Sequence, residues 1–428
     1  MRVRTLAVVG VLCVTGLPAQ TADRGVLNGH TPSWLTLNAA ARLRAEDYAG
    51  VNFEDGNNRG FLLQRYRFST GIRLNAWMSV FGEMQDAREA GAKNPNSGLK
   101  DSLDLRQAYL KLGTEKGFWN VTAGRQMLAY GSERAIGAGE WGNTARVFDA
   151  IKLGLHRGVD RVDFFASSIV RNDVDHWDHH RDGDNLHGMY GSIRSAVPKS
   201  SLEPYVLYRV SPSFSAAGAS GHYNSWTYGF RAASAATRKW GYEADILTQR
   251  GDIGASRLRG WGLTLIGKRK FTSVQWKPEA SLEYDFASGD RNPTDGVVNT
   301  LDQIYPTNHG KYGVVDQIGR RNMKDAAVGV TVHPFDRLAI KTEGHSFWLA
   351  NRYDALYNAG GGISIPAVLG GASSKDIGRE LDVQGDFKLS KHYGIGLQIG
   401  RLFPGASHQG VFAGLGQDLH MVFLDLHI

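Results

Sequence analysis

The sequence predicts an all-β protein, a transmembrane antiparallel β-barrel formed by a single chain. Three observations support this fold class. Side-chain polarity alternates with period two along most of the chain, short turns alternate with long polar connections, and helical periodicity is nearly absent after the N-terminal segment. A wide membrane barrel requires such alternation, because one strand face meets lipid and the other a wet lumen. It also requires closure, since an unpaired strand edge is not tolerated in hydrocarbon.

The alternation is clearest in LQRYRFSTGIRLNAWMSV, residues 63–80. Even positions such as Tyr66 and Phe68 are mostly apolar, whereas many odd positions are polar. The same pattern recurs at residues 146–156, 281–289, 380–390 and 422–428. Successive side chains of a strand point to opposite faces, so each segment predicts a strand with one apolar face. The lengths approach the roughly nine to eleven residues that a tilted strand needs to cross a bilayer.

Long polar connections separate these segments, whereas turns such as KLSKHYG are short. The longest polar connections are predicted at roughly 87–101, 131–145, 171–188, 287–322 and 351–379. Short turns at one end and long loops at the other are typical of outer-membrane barrels. A soluble sandwich would have shorter strands without charges on every second face. A β-helix would show a short regular repeat, which we do not find.

The N-terminus has the layout of a secretory signal peptide. Two arginines precede an apolar run from about Leu6 to Leu17, which is too short to span a bilayer. We predict cleavage after Ala19, with Ala22 as the alternative, and therefore assign residues 1–19 to the signal peptide. The rest of the chain is predicted to be an outer-membrane protein of a bacterium.

Residues 20–428 show no linker or composition break and are interpreted as one barrel domain. The only cysteine, Cys13, lies in the signal segment, so the mature chain would contain none, as is ordinary for a bacterial envelope protein. The formal net charge of +7 is modest and dispersed. Nucleic acid is therefore not a predicted partner.

Two glycine-rich matches to nucleotide motifs are interpreted as coincidences. Gly137–Gly142 forms a G-x-G-x-x-G, but an alternating strand follows it where a helix would be needed. Residues 262–269 resemble a phosphate-binding loop, but Arg269 occupies the position of the magnesium-binding Ser or Thr. We find no G-x-S-x-G nucleophile elbow. The sequence thus predicts neither a cofactor nor an enzyme.

Two polar segments contain candidate metal ligands. RNDVDHWDHHRDGDNLH, residues 171–187, is rich in Asp and His, but its spacing fits no fixed template, and a hydrated loop is preferred. SGDRNPTDG could coordinate calcium through Asp290, Asn292 and Asp295. Asn, Asp, Gly and Pro are also the residues of tight turns, and we prefer a surface loop here too.

Arginines in the strand-like segments carry the first functional indication. Arg65, Arg67, Arg73, Arg125 and Arg146 are predicted on polar faces wherever the alternation is clear. Any wide barrel needs a hydrophilic interior, so these arginines could simply line it. Guanidinium groups also pair with carboxylates through two parallel hydrogen bonds, which would make a constriction that attracts anions. Composition leaves both readings open. Interior acids that could weaken any single site are Glu83, Asp149 and Asp173.

Three segments resemble the alginate-export barrel family. Residues 124–153 are similar to its G-R-Q, Y-G and W-x-N-x-x-R-x-F-D pattern, residues 283–313 to its A-S-G-D-x-N-P and Y-P-T-N-H segments, and residues 377–405 to its G-x-E-L-D hairpin and closing P-G. The resemblance implies a monomeric barrel of about eighteen strands. It also implies that a polyanionic polysaccharide passes through an arginine-lined pore.

The resemblance assigns pore roles first to Arg125 and Arg146, and next to Arg134 and Asp149. Further candidates rest on alternation or loop position: Arg65, Arg67, Arg73, Lys152, Arg171, Asp173 and Arg321.

The predicted function is an outer-membrane channel that passes anionic polysaccharide or oligosaccharide in the direction of export, with no chemical step. Outer-membrane lipid surrounds it, and periplasmic secretion-scaffold proteins are possible partners. The first alternative is an uptake porin for small organic anions or oligosaccharides. The second is an outer-membrane hydrolase, for which His176, His179 and His180 supply the candidate residues.

Overall fold

A computed structural model describes residues 26–29, 31–54, 56–92, 97–174, 176–234, 239–405 and 417–427. The predicted signal peptide lies outside these residues. In the described part of the chain, eighteen strands form a closed antiparallel ring, with β1 paired to both β2 and β22. The ring leaves no strand edge unpaired, as a bilayer demands. The predicted fold class, an antiparallel barrel of about eighteen strands, is confirmed.

The ring strands are β1 Leu35–Ala49, β2 Arg59–Arg73, β3 Met78–Ala90, β4 Asp101–Gly113, β5 Trp119–Gln126, β6 Phe148–Arg157, β7 Asp160–Arg171, β8 His179–Ser192, β9 Ser200–Ala216, β10 Ala219–Ser234, β11 Trp240–Ile253, β13 Trp261–Lys270, β14 Glu279–Ala287, β16 Met323–Phe335, β17 Leu338–Leu349, β20 Asp376–Lys388, β21 Tyr393–Pro404 and β22 Gln417–His427. Four short strands lie in the connections: β12 Ser256–Leu258, β15 Val297–Val298, β18 Leu356–Tyr357 and β19 Ile363–Ile365. Two single-turn 3₁₀ helices occur at Val26–Asn28 and Val51–Phe53.

The connections differ in length between the two ends of the barrel. One end has tight turns, such as residues 158–159 and 336–337, and the other has the long loops 127–147, 288–322 and 350–375. By the general rule for these barrels, the long loops are extracellular and the short turns periplasmic. One predicted loop was too long: residues 171–188 contain only a short connection, because β8 begins at His179. Asp184, Leu186 and Tyr190 are buried on the inner face at even positions, which is the period-two pattern of a strand.

The outer surface is apolar along the strands. Side chains such as Phe68, Ile151, Leu282 and Val328 are 50–64% exposed and alternate with inward-facing residues. Exposed aromatic residues collect at the short-turn end: Trp34, Trp77, Phe118, Trp119, Trp240, Trp276, Phe335 and Tyr393. An apolar band edged by an aromatic girdle is typical of a bilayer-facing barrel. In the described residues, no helix is long and apolar enough to cross a membrane.

The long loops fold into the barrel interior. Ile136 of the 127–147 loop forms a parallel bridge with Tyr305 of the 288–322 loop. Both residues belong to a buried cluster that also includes strand residues such as Phe148, Leu186 and Phe347. Apolar packing therefore joins the loops to the inner wall, and the loops, rather than the strands alone, define the lumen at the extracellular end.

Candidate pore constriction

The 127–147 loop reaches across the lumen as an ordered segment. Asn143 holds its outer part, because its side-chain amide donates to the carbonyl oxygens of Gln64, Arg88 and Leu99 at 2.8–3.1 Å. The chain reverses at Gly139, whose φ of +60° favours glycine. The turn exposes the side chain of Glu140 and the carbonyl oxygens that follow it to the barrel wall. The glycine-rich match at 137–142 is thus a loop, as expected.

Five inward-facing arginines receive this turn. We call them the basic wall: Arg42 and Arg44 on β1, Arg65 and Arg67 on β2, and Arg106 on β4. On β1 the arginines flank Leu43, which is 38% exposed on the outer face, so the alternation places both guanidinium groups inside. A bulge in β4 beside Glu83 admits Arg106 to the same side.

Glu140 joins three members of the basic wall. Its carboxylate contacts Arg67 at 2.7 Å, Arg65 at 3.6 Å and Arg106 at ion-pair distance. Burial alone would raise the pKa of Glu140, but the guanidinium groups of Arg67, Arg106 and Arg65 outweigh it and hold this pKa well below its ordinary value. Glu140 therefore stays ionised at physiological pH. Its side chain is 43% exposed.

Carbonyl oxygens satisfy much of the remaining hydrogen-bonding capacity. Arg42 donates to the carbonyl oxygens of Glu140, Trp141 and Gly142 at 2.9–3.0 Å. Arg65 donates to those of Glu140 and Gly142 at 2.9–3.0 Å. The guanidinium of Arg44 lies 4.1 Å from the ring centroid of Trp141. Many of the contacts that hold the loop are therefore made to neutral acceptors, which do not cancel arginine charge.

The opposite side of the lumen carries the reverse charge. We call its inward-facing carboxylates the acidic wall: Glu203, Glu243, Asp245, Glu283 and Asp285. Arg134 of the 127–147 loop pairs with Glu283 and with Asp285, the latter at 3.4 Å. Arg320 of the 288–322 loop contacts Asp245 at 3.4 Å, and Arg231 on β10 bridges Glu203 and Glu243 at 2.7 Å each.

Arg146 joins the two inward loops. It donates to the carbonyl oxygens of Gly137, Tyr305 and Pro306 at 2.8–3.1 Å, and burial lowers its pKa to about 10. Its location corrects one expectation, since Arg146 lies in the loop, two residues before β6, and not in a strand. A strand-like alternation after it made the segment look longer than it is.

The expectation that Arg125 and Asp149 face the pore is not met. Asp149 lies two residues before Ile151 and therefore on the same face of β6, and Ile151 is 56% exposed on the outer surface. Asp149 also lies directly opposite Arg125 in the register. The two side chains pair at 2.8 Å on that face, beside the extracellular loops. Arg125 also donates to the carbonyl oxygen of Asp178 at 3.0 Å. Gln126 and Phe148, the next residues, are the inward pair.

The other predicted site residues are scattered. Lys152 lies opposite Thr122 and Phe165 on the inner face, as the alternation predicts. Arg73 is at the periplasmic end, where it donates to the carbonyl oxygen of Ser33. Arg171 ends β7, and Asp173 lies in the short connection between β7 and β8. Arg321 donates to the carbonyl oxygen of Gly361 at 2.8 Å and stacks on Tyr357, so it joins two loops.

The candidate calcium ligands of the 288–322 loop have local partners. Asp290 accepts from the backbone of Asn299, Asn292 accepts from Thr294, and Asp295 accepts from the amide of Val297. These hydrogen bonds close turns, as the preferred loop interpretation predicts. The histidines suggested for a hydrolase have acidic neighbours: His176 contacts Asp173, and His180 contacts Asp149 and Asp182.

Sequence reasoning missed Arg42, Arg44, Arg106 and Glu140. The first two follow the same period-two rule as Arg65 and Arg67, in the segment AARLRAED, and could have been found from it. Arg106 reaches the lumen through a bulge, which shifts the alternation by one residue. Nothing in the loop sequence marks Glu140, because its contacts depend on how the loop enters the barrel.

The closed ring, the apolar outer band and the inward loops define an outer-membrane β-barrel channel. The sequence profile of the alginate export family matches residues 33–411, so the chain belongs to that family. A comparison with curated proteins gave no significant match.

Solved structures with the same fold include porins of Pseudomonas aeruginosa. OpdO aligns with a TM-score of 0.59 at 11% identity, covering 92% of this chain and 97% of its own. OccK11 (OpdR) aligns at 0.54 and 12% identity, covering 92% and 96%. OccK2 (OpdF), in complex with glucuronate, aligns at 0.58 and 10% identity, covering 94% and 99%. At such identities the likeness concerns the fold alone. Membership of the alginate export family places the protein in the bacterial outer membrane.

Proposed function

We propose that the protein is a passive channel for acidic saccharides, which pass along the basic wall. The observation that carries this proposal is an excess of positive charge at the constriction. Among the described contacts, the five arginines of the basic wall meet three carboxylates, those of Glu46, Glu83 and Glu140. A local excess of guanidinium groups attracts a carboxylate and pairs with it bidentately.

Glu140 shows how such an anion would be held. Its carboxylate is already bound by three guanidinium groups and is 43% exposed to the lumen. A uronate carboxylate could occupy the same position once Glu140 moves aside. Because one carboxylate replaces another, the free-energy change on binding and on release would be small. A channel needs this in order to let its substrate leave.

The proposed class of sugar, uronic acids, follows from the carboxylate that each ring carries and from two similar proteins or families. The family carries alginate export as its description, and one porin of the same fold was solved with glucuronate. Both alginate and glucuronate present one carboxylate on each sugar ring. We propose that this chain takes chains of uronic acids in the direction of export. The barrel itself supplies no energy, so direction would depend on gradients and on periplasmic partners.

The second candidate is passage of single uronates or short oligosaccharides in the uptake direction. The glucuronate-bound porin favours it, because that ligand is one sugar long. The same basic wall would serve both functions. Blocking by uronate oligomers of increasing length separates them: residence time should grow with length for a polymer channel and level off early for a channel that takes single sugars.

Planar-bilayer conductance of the full-length mature barrel tests the proposal. We expect anion selectivity and block by oligo-uronate, both reduced about two- to fivefold in Arg67→Gln, since removing one charge near the path changes an ion's energy by about 1 kcal/mol. The matched control is Arg125→Gln, whose side chain is on the outer face and should leave selectivity unchanged. Cation preference in the parent, or equal effects of the two variants, would contradict the proposal.

A further inference from the structure

A second site lies at the extracellular rim, outside the lumen constriction. Asp101 begins β4, Asp104 follows it in the same strand, and Asp178 ends the connection between β7 and β8. One carboxylate oxygen from each of the three residues lies within 4.8 Å of the others. Two irregularities in the pairing of β3 with β4 turn this part of the strand toward the β7–β8 connection.

The first two carboxylates are buried and incompletely satisfied. Asp101 and Asp104 are each 1% exposed, and among the residues that the structure describes Oδ1 of each has no hydrogen-bond partner. Asp104 Oδ2 accepts from the amide of Asp178 at 2.5 Å, and Asp178 Oδ1 accepts from the amide of Asp173 at 2.8 Å. A buried carboxylate oxygen without a donor costs free energy, unless a cation balances it.

The neighbouring side chains supply only part of that positive charge. In the described chain, no lysine, arginine or histidine forms an ion pair with Asp101, Asp104 or Asp178. The charge of Arg125 acts on Asp178 and Asp104, but its guanidinium donates to the backbone carbonyl of Asp178 and pairs with the carboxylate of Asp149. One guanidinium that is already paired with Asp149 therefore leaves most of the charge of the three acids unbalanced.

We propose that Asp101, Asp104 and Asp178 bind a calcium ion. All three offer carboxylate oxygens, the ligands that calcium prefers, and two oxygens bound to one calcium at about 2.3–2.6 Å lie no more than about 5.2 Å apart. The observed separation satisfies this limit. The ion joins the start of β4 to the β7–β8 connection and so fixes the part of the rim that covers Arg125. This site is independent of the anion path.

Calcium titration of the full-length mature barrel in detergent tests the site after the protein has been stripped with a chelator. We expect one bound ion with a Kd of about 10⁻⁴–10⁻³ M, as in extracellular calcium modules, and a thermal unfolding temperature that rises with calcium. Asp104→Asn and Asp178→Asn should each weaken binding at least tenfold. Heat-modifiable gel mobility confirms that each variant is folded.

The matched control is Asp182→Asn, because that side chain is 98% exposed and lies outside the three-residue cluster. It should bind calcium as the parent does. Absence of binding in the parent at millimolar calcium would overturn the proposal, as would equal affinity in Asp104→Asn and the control. Loss of binding in Asp295→Asn, with retention in Asp104→Asn, would place the ion in the 288–322 loop and would also overturn it.

Discussion

The basic wall and the acidic wall face each other across the same lumen and hold the same loop by opposite means. On the basic wall, arginines of the strands receive one carboxylate and several carbonyl oxygens from residues 140–142. On the acidic wall, carboxylates of the strands receive the loop's Arg134. The loop thus presents to each wall the charge that the wall lacks.

The two walls differ in how completely their charges are neutralised and in how far their contacts with the loop are buried from solvent. Arg134 is 4% and Asp285 0% exposed, whereas Glu140 on the other side is 43% exposed. The acidic contact is therefore a buried anchor, and the basic contact is open to the lumen. We infer that the first fixes the loop and that the second can exchange with a passing anion. Disrupting one contact at a time tests this division.

Removing the buried anchor should have the largest effect. In Arg134→Met, Glu283 and Asp285 lose their cation while Asp285 stays fully buried. Breaking a buried ion pair from one side typically costs about 3–5 kcal/mol, so we expect the free energy of unfolding to fall by about that amount. Guanidinium unfolding of the barrel in lipid, followed by tryptophan fluorescence, measures the change.

Arg157→Met is the control for this variant, since Arg157 is exposed at the periplasmic end of β6. It should change the free energy of unfolding by less than about 0.5 kcal/mol, as exposed surface substitutions usually do. Equal losses in the two variants would show that Arg134 is not an anchor, and the comparison between the walls would fail.

Opening the basic contact should change conduction more than stability. In Glu140→Gln, three guanidinium groups lose a shared carboxylate, although Arg42 and Arg65 keep their carbonyl acceptors. We expect the anion-to-cation permeability ratio to rise about two- to fivefold, because one negative charge near the path is worth about 1 kcal/mol. Reversal potentials under a salt gradient measure the ratio.

The effect of Glu140 should also be constant between pH 8 and pH 5. Its pKa is held below the ordinary glutamate value, so the charge is present above that value and is lost only as the pH falls through the lower, folded-state pKa. Glu54→Gln, on the exposed loop between β1 and β2, controls for charge at the mouth and should leave the ratio unchanged. A difference in ratio between the parent and Glu140→Gln that shrinks between pH 8 and pH 5 would contradict this assignment.

The strands could be predicted from sequence because their physical rule is local. Each inward residue lies two positions from the next, so Arg65 and Arg67 were placed correctly, and so was Lys152. The rule fails where a strand ends or bulges. Arg125 was misplaced because the segment before it, VTAG, alternates too weakly to show which face is polar.

The loops could not be predicted, because their contacts join residues far apart in the chain. Glu140 meets Arg67 across 73 positions, and Arg134 meets Asp285 across 151. No periodicity or spacing connects such residues, and family resemblance marks the segment without giving its path. The same holds for the rim carboxylates, since Asp104 and Asp178 lie 74 residues apart.

The smallest expected effect concerns Lys311, a lysine of the 288–322 loop beside the acidic wall. Burial, with Arg134 nearby, lowers its pKa to about 8, well below the ordinary value of about 10.4. The folded chain therefore releases this proton at a lower pH than the unfolded chain, and its stability should rise between pH 8 and pH 10.

Over the same interval the lumen loses one positive charge. We expect the anion-to-cation permeability ratio to fall up to about twofold between pH 7 and pH 9.5, since a cation already offset by nearby acids contributes less than an unpaired one. Lys311→Met should flatten this decline, while Lys388→Met, at the exposed end of β20, should not. An unchanged decline in Lys311→Met would assign the titration to another group and remove Lys311 from the path.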